Sequence, residues 1–232
     1  MNTESSYDTL LHYDLGAGVE AFSTRRDSDF PYPVVTGHQV HGTKIAVIDS
    51  LNTSREELEG YDAFVTDKPG IAIGVRTADC VPVLLYDKGK KVIAAIHAGW
   101  KGTVQRITQK TVVFLQKKYG TKPDDIMAVI GPSISPDSFQ VGEEVVKYFK
   151  DQGFPLEKIW FFNEGAGESP MYHGHHIDLW RANAWLLESC GILRENIRIA
   201  GIDTYSDPSL FSARREGVEC GRIISAIKIS NI

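Results

Sequence analysis

The stretch that decides the fold is VPVLLYDKGKKVIAAIH, residues 81–97, in which two apolar runs flank a short polar link. Val81–Tyr86 and Val92–Ile96 are almost continuously apolar, which favours central β-strands that are covered on both faces. The link Asp87–Lys90 contains Asp and Gly, two residue types that favour turns, and it predicts a tight hairpin. This hairpin therefore predicts the centre of a β-sheet.

Outside the hairpin, short β-branched runs predict further strands and apolar residues at helical spacing predict three helices. The predicted strands are Gly18–Thr24, Val34–Val40, Lys44–Ile48, Ala63–Thr66, Ile71–Arg76, Ile197–Gly201 and Arg222–Ile229. The predicted helices are Val104–Tyr119, Ser138–Gln152 and Asp178–Gly191, the last with Asp178 as its N-cap. This order predicts an α/β or α+β fold with a mixed sheet.

The 232 residues contain no repeat and no linker rich in Pro and Ser, so we expect a single domain over 1–232. The most loop-like stretch, Asn163–Pro170, is expected to be a surface loop. A net charge of −5 argues against nucleic acid as a partner. No apolar stretch approaches the roughly 20 residues that cross a bilayer, so no membrane partner is expected. Three cysteines and the polar start Met1–Ser6 indicate a reduced, cytoplasmic protein.

Cys80 and His97 lie at the same end of the predicted hairpin, which suggests chemistry at that end. Thiolate and imidazole are ligands that zinc prefers, and three protein ligands mark a catalytic zinc site. His38 and His41 are candidates for the third ligand, and we favour His41, which precedes a glycine. A cysteine and a histidine at strand ends are also common core residues, so the spacing alone leaves both interpretations open. We expect Cys190 to pack in the core.

Several ordered motifs resemble the laccase-domain family of purine nucleoside phosphorylases, also described as multicopper polyphenol oxidoreductases and YfiH-type peptidoglycan editing factors. They span roughly residues 19 to 228 and are Ser23–Arg25, Gln39–Gly42, Thr77–Leu84, His97–Gly102, Gly131–Ile134, Phe139–Val145, Phe211–Arg215 and Gly221–Arg222. Eight matches in the same order are far more specific than any one of them.

The resemblance implies that His41, Cys80 and His97 are zinc ligands, with copper as a less favoured metal. It implies an α/β sandwich similar to the catalytic domain of cytotoxic necrotizing factor. It also implies that phosphate cleaves adenosine, inosine and methylthioadenosine, with adenosine deamination alongside. The partners would then be purine nucleosides and phosphate.

Phosphorolysis also needs cations that hold phosphate, and the cationic candidates are Arg25, Lys101, Arg214 and Arg215. Asp79, beside Cys80, is a candidate to orient a ligand or to act as an acid or base. Together with Cys80 and His97 it completes the predicted catalytic set.

Two departures from the family pattern leave the substrate preference open. The segment Asp27–Gly37 is shorter than the corresponding family segment, and Asp203 replaces the Cys of a Cys-Thr-Tyr motif. Three other functions also stay open. Cys80 activated by His97 could serve a cysteine hydrolase or peptidoglycan editing enzyme. A copper polyphenol oxidase would need more histidines than seven dispersed ones offer, and a binding module would retain the pocket without turnover.

Overall fold

The computed structural model describes residues 9–165 and 173–230 of the chain. In chain order, its strands are β1 (Leu11–Tyr13), β2 (Val19–Ser23), β3 (Lys44–Val47), β4 (Tyr61–Thr66), β5 (Ala72–Thr77), β6 (Val81–Asp87), β7 (Val92–Ala98), β8 (Ile126–Ile130), β9 (Gln140–Val141), β10 (Trp160–Asn163), β11 (Gly174–Ile177), β12 (Ile197–Ile199) and β13 (Ile223–Ile229). Its helices are α1 (Trp100–Val104), α2 (Ile107–Tyr119), α3 (Glu143–Asp151), α4 (Leu156–Ile159), α5 (Leu179–Glu188) and α6 (Ala213–Glu216). The prediction of a mixed α/β fold is confirmed.

The strands form three sheets. The six-stranded sheet has the order β12-β8-β6-β7-β4-β3, with parallel pairs at its two edges and antiparallel pairs at its centre. An antiparallel four-stranded sheet has the order β1-β2-β13-β5, and a small antiparallel sheet has the order β10-β11-β9. The predicted hairpin of β6 and β7 therefore lies at the centre of the largest sheet.

Two apolar clusters cover the two faces of the six-stranded sheet. On one face, Val83 and Ile96 pack with α2 and α5. On the other face, Leu84 and Ile93 pack against Ile73 of the four-stranded sheet. Because successive side chains of a strand point to opposite faces, burial on both sides requires the continuous apolar runs seen in β6 and β7.

The register of this hairpin brings Cys80 and His97 to one end of the sheet, as predicted. Pro82 is paired with His97, and Val81 is paired with Ala98. Cys80 immediately precedes β6, and helix α1 begins two residues after β7 ends. The chain therefore places a thiol, an imidazole and a helix start close together.

The predicted strand Val34–Val40 is wrong. Apart from isolated bridges at Val35 and His38, this described segment is a loop. The loop is pressed against the chain before β4, since a Cβ added at Gly37 would lie 2.7 Å from the carbonyl oxygen of Leu58. Close packing of this kind replaces regular strand pairing, and His41 consequently lies in a loop rather than at a strand end.

Two predicted helices are shorter than expected. The helix predicted over Val104–Tyr119 is interrupted because Arg106 adopts a left-handed conformation, with φ of 64°, between α1 and α2. The helix predicted from Ser138 begins only at Glu143, because β9 occupies the preceding residues and pairs with β11. The third helix is confirmed, and the Asp178 carboxylate caps it by accepting a bond from the Arg181 N–H.

Sequence analysis gave no range for strands β1, β8, β9, β10 and β11. His175 and His176 belong to β11, and His176 is fully buried. Part of the predicted loop Asn163–Pro170 and the start Met1–Ser6 lie outside the described residues.

Among the helices of the described ranges, none is long and apolar enough to cross a membrane. The single domain and the likeness to cytotoxic necrotizing factor stay predictions.

Candidate metal centre and its cavity

His41, Cys80 and His97 form a group that could hold a metal ion. One ligand atom from each residue lies within 4.8 Å of the other two. The Cys80 Sγ is 3.6 Å from the His41 Nε2, and the two imidazole rings lie 4.8 Å apart at 65°. His97 is buried, Cys80 is half-buried and His41 is exposed, so the group opens to solvent on one side.

The carboxylate of Asp62 orients the two histidines of this group. Its Oδ1 lies 2.8 Å from the His97 Nδ1 and also accepts a bond from the His41 backbone N–H at 2.9 Å. The His97 Nδ1 donates to this carboxylate, which leaves the Nε2 available as a ligand atom. Asp62 is fully buried in β4, beside β7 in the six-stranded sheet. Sequence analysis did not identify this residue.

The loop that carries His41 is held by two side chains. The Asp62 Oδ2 accepts a bond from the Gly42 N–H at 2.7 Å. The side-chain amide of Gln39 forms two bonds of 2.9 Å with the backbone of Arg76 in β5. His41 has a φ of 62°, a conformation that a non-glycine residue adopts at a cost of about 1–3 kcal/mol. These contacts offset that cost and fix the direction of the imidazole.

Gly99 permits the close approach of the Cys80 and His41 side chains. A Cβ added at this position would lie 2.8 Å from the Cys80 Sγ and 3.0 Å from the His41 Cδ2. Gly99 precedes α1, and any larger residue would displace the thiol or the imidazole. The sequence His97–Gly102 therefore contains a glycine for a steric reason.

The pKa values of Cys80 and His97 shift in opposite directions because the two groups interact. Burial alone raises the pKa of Cys80, but the positive charge of His97 and hydrogen bonds to both histidines outweigh it and lower the pKa. Burial alone lowers the pKa of His97, but the Cys80 thiolate and the bond to Asp62 raise it. The thiolate form, which metals bind, is thus favoured.

A cavity of about 390 Å³ lies beside the three ligand residues. This volume falls within the usual range for small-molecule sites. The ligand residues form one wall, and the remaining lining residues are Gly37, His38, Gln39, Arg55, Arg76, Thr77, Ala78, Ala213, Val218 and Arg222. His38, the alternative ligand candidate, lines this cavity but does not belong to the ligand group.

The structure places Asp79 beside the ligand residues but directs its carboxylate elsewhere. The Asp79 Oδ1 accepts a bond from the Thr204 hydroxyl at 2.7 Å, and its Oδ2 accepts the Arg214 backbone N–H at 2.6 Å. These bonds hold the start of α6 next to the loop before β6. The predicted role of Asp79 in orienting a ligand or transferring a proton stays a prediction.

The four predicted phosphate-binding residues do not line the cavity. Arg25 contacts Ser209 and Asp207, and Lys101 lies over the ring of Trp100 in exposed surface. The Arg214 guanidinium donates to the carbonyls of Ser138 and Gln140. The Arg215 guanidinium donates to the carbonyls of Thr204, Tyr205, Asp207 and Leu210. Their assignment to phosphate stays a prediction.

The two sequence departures have different outcomes. Asp203 accepts bonds from the Ser135 N–H, the Tyr205 N–H and the Ser138 hydroxyl, so its carboxylate stabilises loops. The described contacts give no account of the shortened segment Asp27–Gly37.

Cys190 is half-buried against the core, and burial raises its pKa to about 11.

A family model described as multi-copper polyphenol oxidoreductase laccase matches residues 19–230. A protein of Bacteroides thetaiotaomicron, named purine nucleoside phosphorylase, is 41% identical over 92% of this chain and 82% of its own length. A protein of an unknown prokaryotic organism, named adenosine deaminase RL5, is 42% identical over 84% of this chain and 74% of its own. The crystal structure of a Bacillus licheniformis hypothetical protein, YfiH, superposes with a TM-score of 0.85 at 23% identity, covering 99% of this chain and 98% of that one.

Proposed function

Because the chain belongs to the multi-copper polyphenol oxidoreductase laccase family, we propose that it is a zinc-dependent purine nucleoside phosphorylase. Its substrates would be adenosine, inosine and methylthioadenosine, with adenosine deamination as a second activity. The observation that carries the proposal is the group His41, Cys80 and His97 at the wall of a cavity large enough for a nucleoside. We further propose that one domain carries this activity and that the protein is cytoplasmic.

The donor set fits zinc. Two imidazoles and one thiolate are ligands that zinc prefers, and three protein ligands leave a fourth position for a substrate. When bound, zinc would supply a Lewis acid at the cavity wall. The Asp62 carboxylate supports this assignment, since metal-binding histidines usually donate their other ring N–H to such a partner.

In phosphorolysis, the bond between the purine nitrogen and the sugar carbon breaks, and a phosphate oxygen bonds to that carbon. The leaving purine takes up a proton. The protein must therefore hold the nucleoside and phosphate together, and it must stabilise the anion beside a positively charged sugar. The cavity supplies a shared space for both, next to the ligand residues.

A cysteine hydrolase remains the second candidate, because the lowered pKa of Cys80 beside two histidines would also suit a nucleophile. Copper polyphenol oxidation is less favoured. Among the residues that the structure describes, His41, Cys80 and His97 form the one group that could hold a metal ion, whereas multicopper chemistry needs further clusters.

The test combines elemental analysis with turnover by the purified protein. We expect about one zinc per chain and release of hypoxanthine from inosine that requires phosphate. The variant Cys80→Ser should lose most of the zinc and most of the activity. Release of purine by metal-free protein, or full zinc content in this variant, would contradict the proposal.

A further inference from the structure

Three arginines and no acidic residue line the cavity beside the ligand group. Arg55, Arg76 and Arg222 contribute to its surface, and none of its described lining residues is Asp or Glu. A cleft lined by charges of one sign concentrates the electric field and attracts ions of opposite charge. Burial, and then the positive charges of Arg55 and Arg222, lower the pKa of Arg76. The charges of Arg55 and Arg222 thus repel that of Arg76, and an anion in the cavity would relieve this repulsion.

The pairing of β5 with β13 brings two of these arginines to the same end of the four-stranded sheet. Arg76 lies near the end of β5, where it is paired with Ile224 of β13. Arg222 immediately precedes β13, two residues before Ile224, the residue with which Arg76 is paired. Both arginines line the same cavity. Arg55 approaches from the segment before β4.

The arginines differ in the donors that they leave open. Within residues 9–165 and 173–230, no hydrogen-bond acceptor contacts the guanidinium of Arg76 or of Arg55. Arg222 donates to the carbonyls of Val218, Cys220 and Gly221, which hold its side chain in place. The arginines predicted from sequence, by contrast, already bond to the protein.

A second polar group at the cavity is also unsatisfied. Thr77, which follows Arg76 and lines the same cavity, is 1% exposed. Its hydroxyl oxygen has no hydrogen-bond partner among the described residues. Because buried polar groups nearly always have a partner, this hydroxyl leaves a second polar atom of the cavity wall unsatisfied, on the face of β5 opposite to the Arg76 side chain.

We propose that Arg55, Arg76 and Arg222 bind a phosphate group in the cavity beside His41, Cys80 and His97. The planar guanidinium donates two parallel bonds to phosphate oxygens, which suits it to this anion. The proposal rests on the proposed function, for which it places the anionic substrate next to the nucleoside. The same chemistry would recognise free inorganic phosphate or the phosphate of a nucleotide.

The test measures binding to the zinc-loaded protein without turnover. Inorganic phosphate and adenosine monophosphate are titrated separately by calorimetry, in the absence of nucleoside. Arg76→Gln should weaken binding of at least one of them about ten-fold or more, because a bond to a charged group is lost. Arg76→Lys should recover part of the affinity. Arg55 is exposed, so Arg55→Gln tests the same site in a variant that should fold normally.

The matched control is Arg198→Gln in the edge strand β12, where Arg198 lies 3.8 Å from Asp14 and outside the cavity. Its affinities should stay within about two-fold of the unmodified protein. Wild-type affinity for both ligands in the Arg76→Gln and Arg55→Gln variants would overturn the proposal. Weakening only with adenosine monophosphate supports it and identifies a nucleotide as the source of the phosphate.

Failure of this proposal is distinguishable from failure of the proposed function. If phosphate binding follows the arginines but inosine is not cleaved, the anion site stands and the phosphorylase assignment fails. If inosine cleavage requires phosphate and all arginine variants saturate normally with it, the assignment stands and this site is wrong.

Discussion

Asp62→Asn should weaken zinc binding, because Asp62 is the residue through which β4 holds both histidine ligands. Four N–H groups face its carboxylate, those of Val40, His41 and Gly42 in the backbone and the Nδ1 of His97. Asn offers one oxygen, and its amide group would face donors instead of accepting from them. Loss of such a partner behind a metal ligand typically weakens metal affinity about 10- to 100-fold.

The same substitution should lower the free energy of unfolding. The amide can satisfy the donors at one of the two oxygen positions, so two N–H groups lose their acceptor. Val40 and His41 are exposed and Gly42 is half-buried, so water can replace part of the lost bonding. At about 0.5–1.5 kcal/mol for each lost hydrogen bond, the expected loss is about 1–3 kcal/mol. Denaturant unfolding of the metal-free protein measures this value separately from zinc affinity.

Asp87→Asn is the matched control for this experiment. Asp87 is equally buried, at the opposite end of β6 from Cys80, and its Oδ1 accepts the N–H groups of Gly89 and Lys90. An Asn oxygen can keep both bonds, and zinc affinity should stay within about two-fold of the unmodified protein. Competition with a chromophoric chelator measures affinity in both variants. Unchanged zinc affinity in folded Asp62→Asn protein, or equal loss in the control, would refute the reasoning.

Three further predictions follow from single contacts. Because the pKa of Cys80 is lowered to about 6, iodoacetamide should label Cys80 at about pH 7 once zinc is removed, and more slowly below about pH 6. Cys190 should stay unlabelled under the same conditions. Rapid labelling of Cys80 while zinc is bound would favour the cysteine hydrolase, in which Cys80 is a nucleophile. Gly99→Ala should weaken zinc binding about ten-fold, because the added Cβ would lie 2.8 Å from the Cys80 Sγ. Competition with a chelator measures this affinity, and wild-type affinity would contradict the steric role of Gly99. Arg215→Ala should lower the free energy of unfolding by about 2–4 kcal/mol and leave phosphate affinity unchanged, because the Arg215 guanidinium donates to four carbonyls. Denaturant unfolding measures the first quantity and calorimetry the second. Weaker phosphate binding would support the assignment of Arg215 to phosphate that was made from the sequence.

Several element predictions failed where local pattern competes with contacts from distant segments. Val34–Val40 has β-branched residues, but Gln39 bonds to the backbone of Arg76 and Gly37 packs on Leu58, which leaves a loop. Arg106 lies within a helical pattern, but its guanidinium reaches the Gln152 carbonyl at 2.6 Å, and the backbone turns there. A single sequence does not record such long-range preferences.

Local sequence patterns were sufficient to predict the β6–β7 hairpin and the proximity of Cys80 and His97. A continuous apolar run buried on both faces and a short turn are local properties, and the register of a hairpin follows from its turn. The residues alone favoured His41 over His38 because a glycine follows it, and the family resemblance supported that choice, but no local pattern predicts that its loop reaches Cys80 across 39 residues. Tertiary structure alone identified Asp62, which lies 35 residues from His97, and the cavity that Arg55, Arg76 and Arg222 share. These groups meet because separate sheets and loops pack together, and a spacing along one chain carries no signal of that packing.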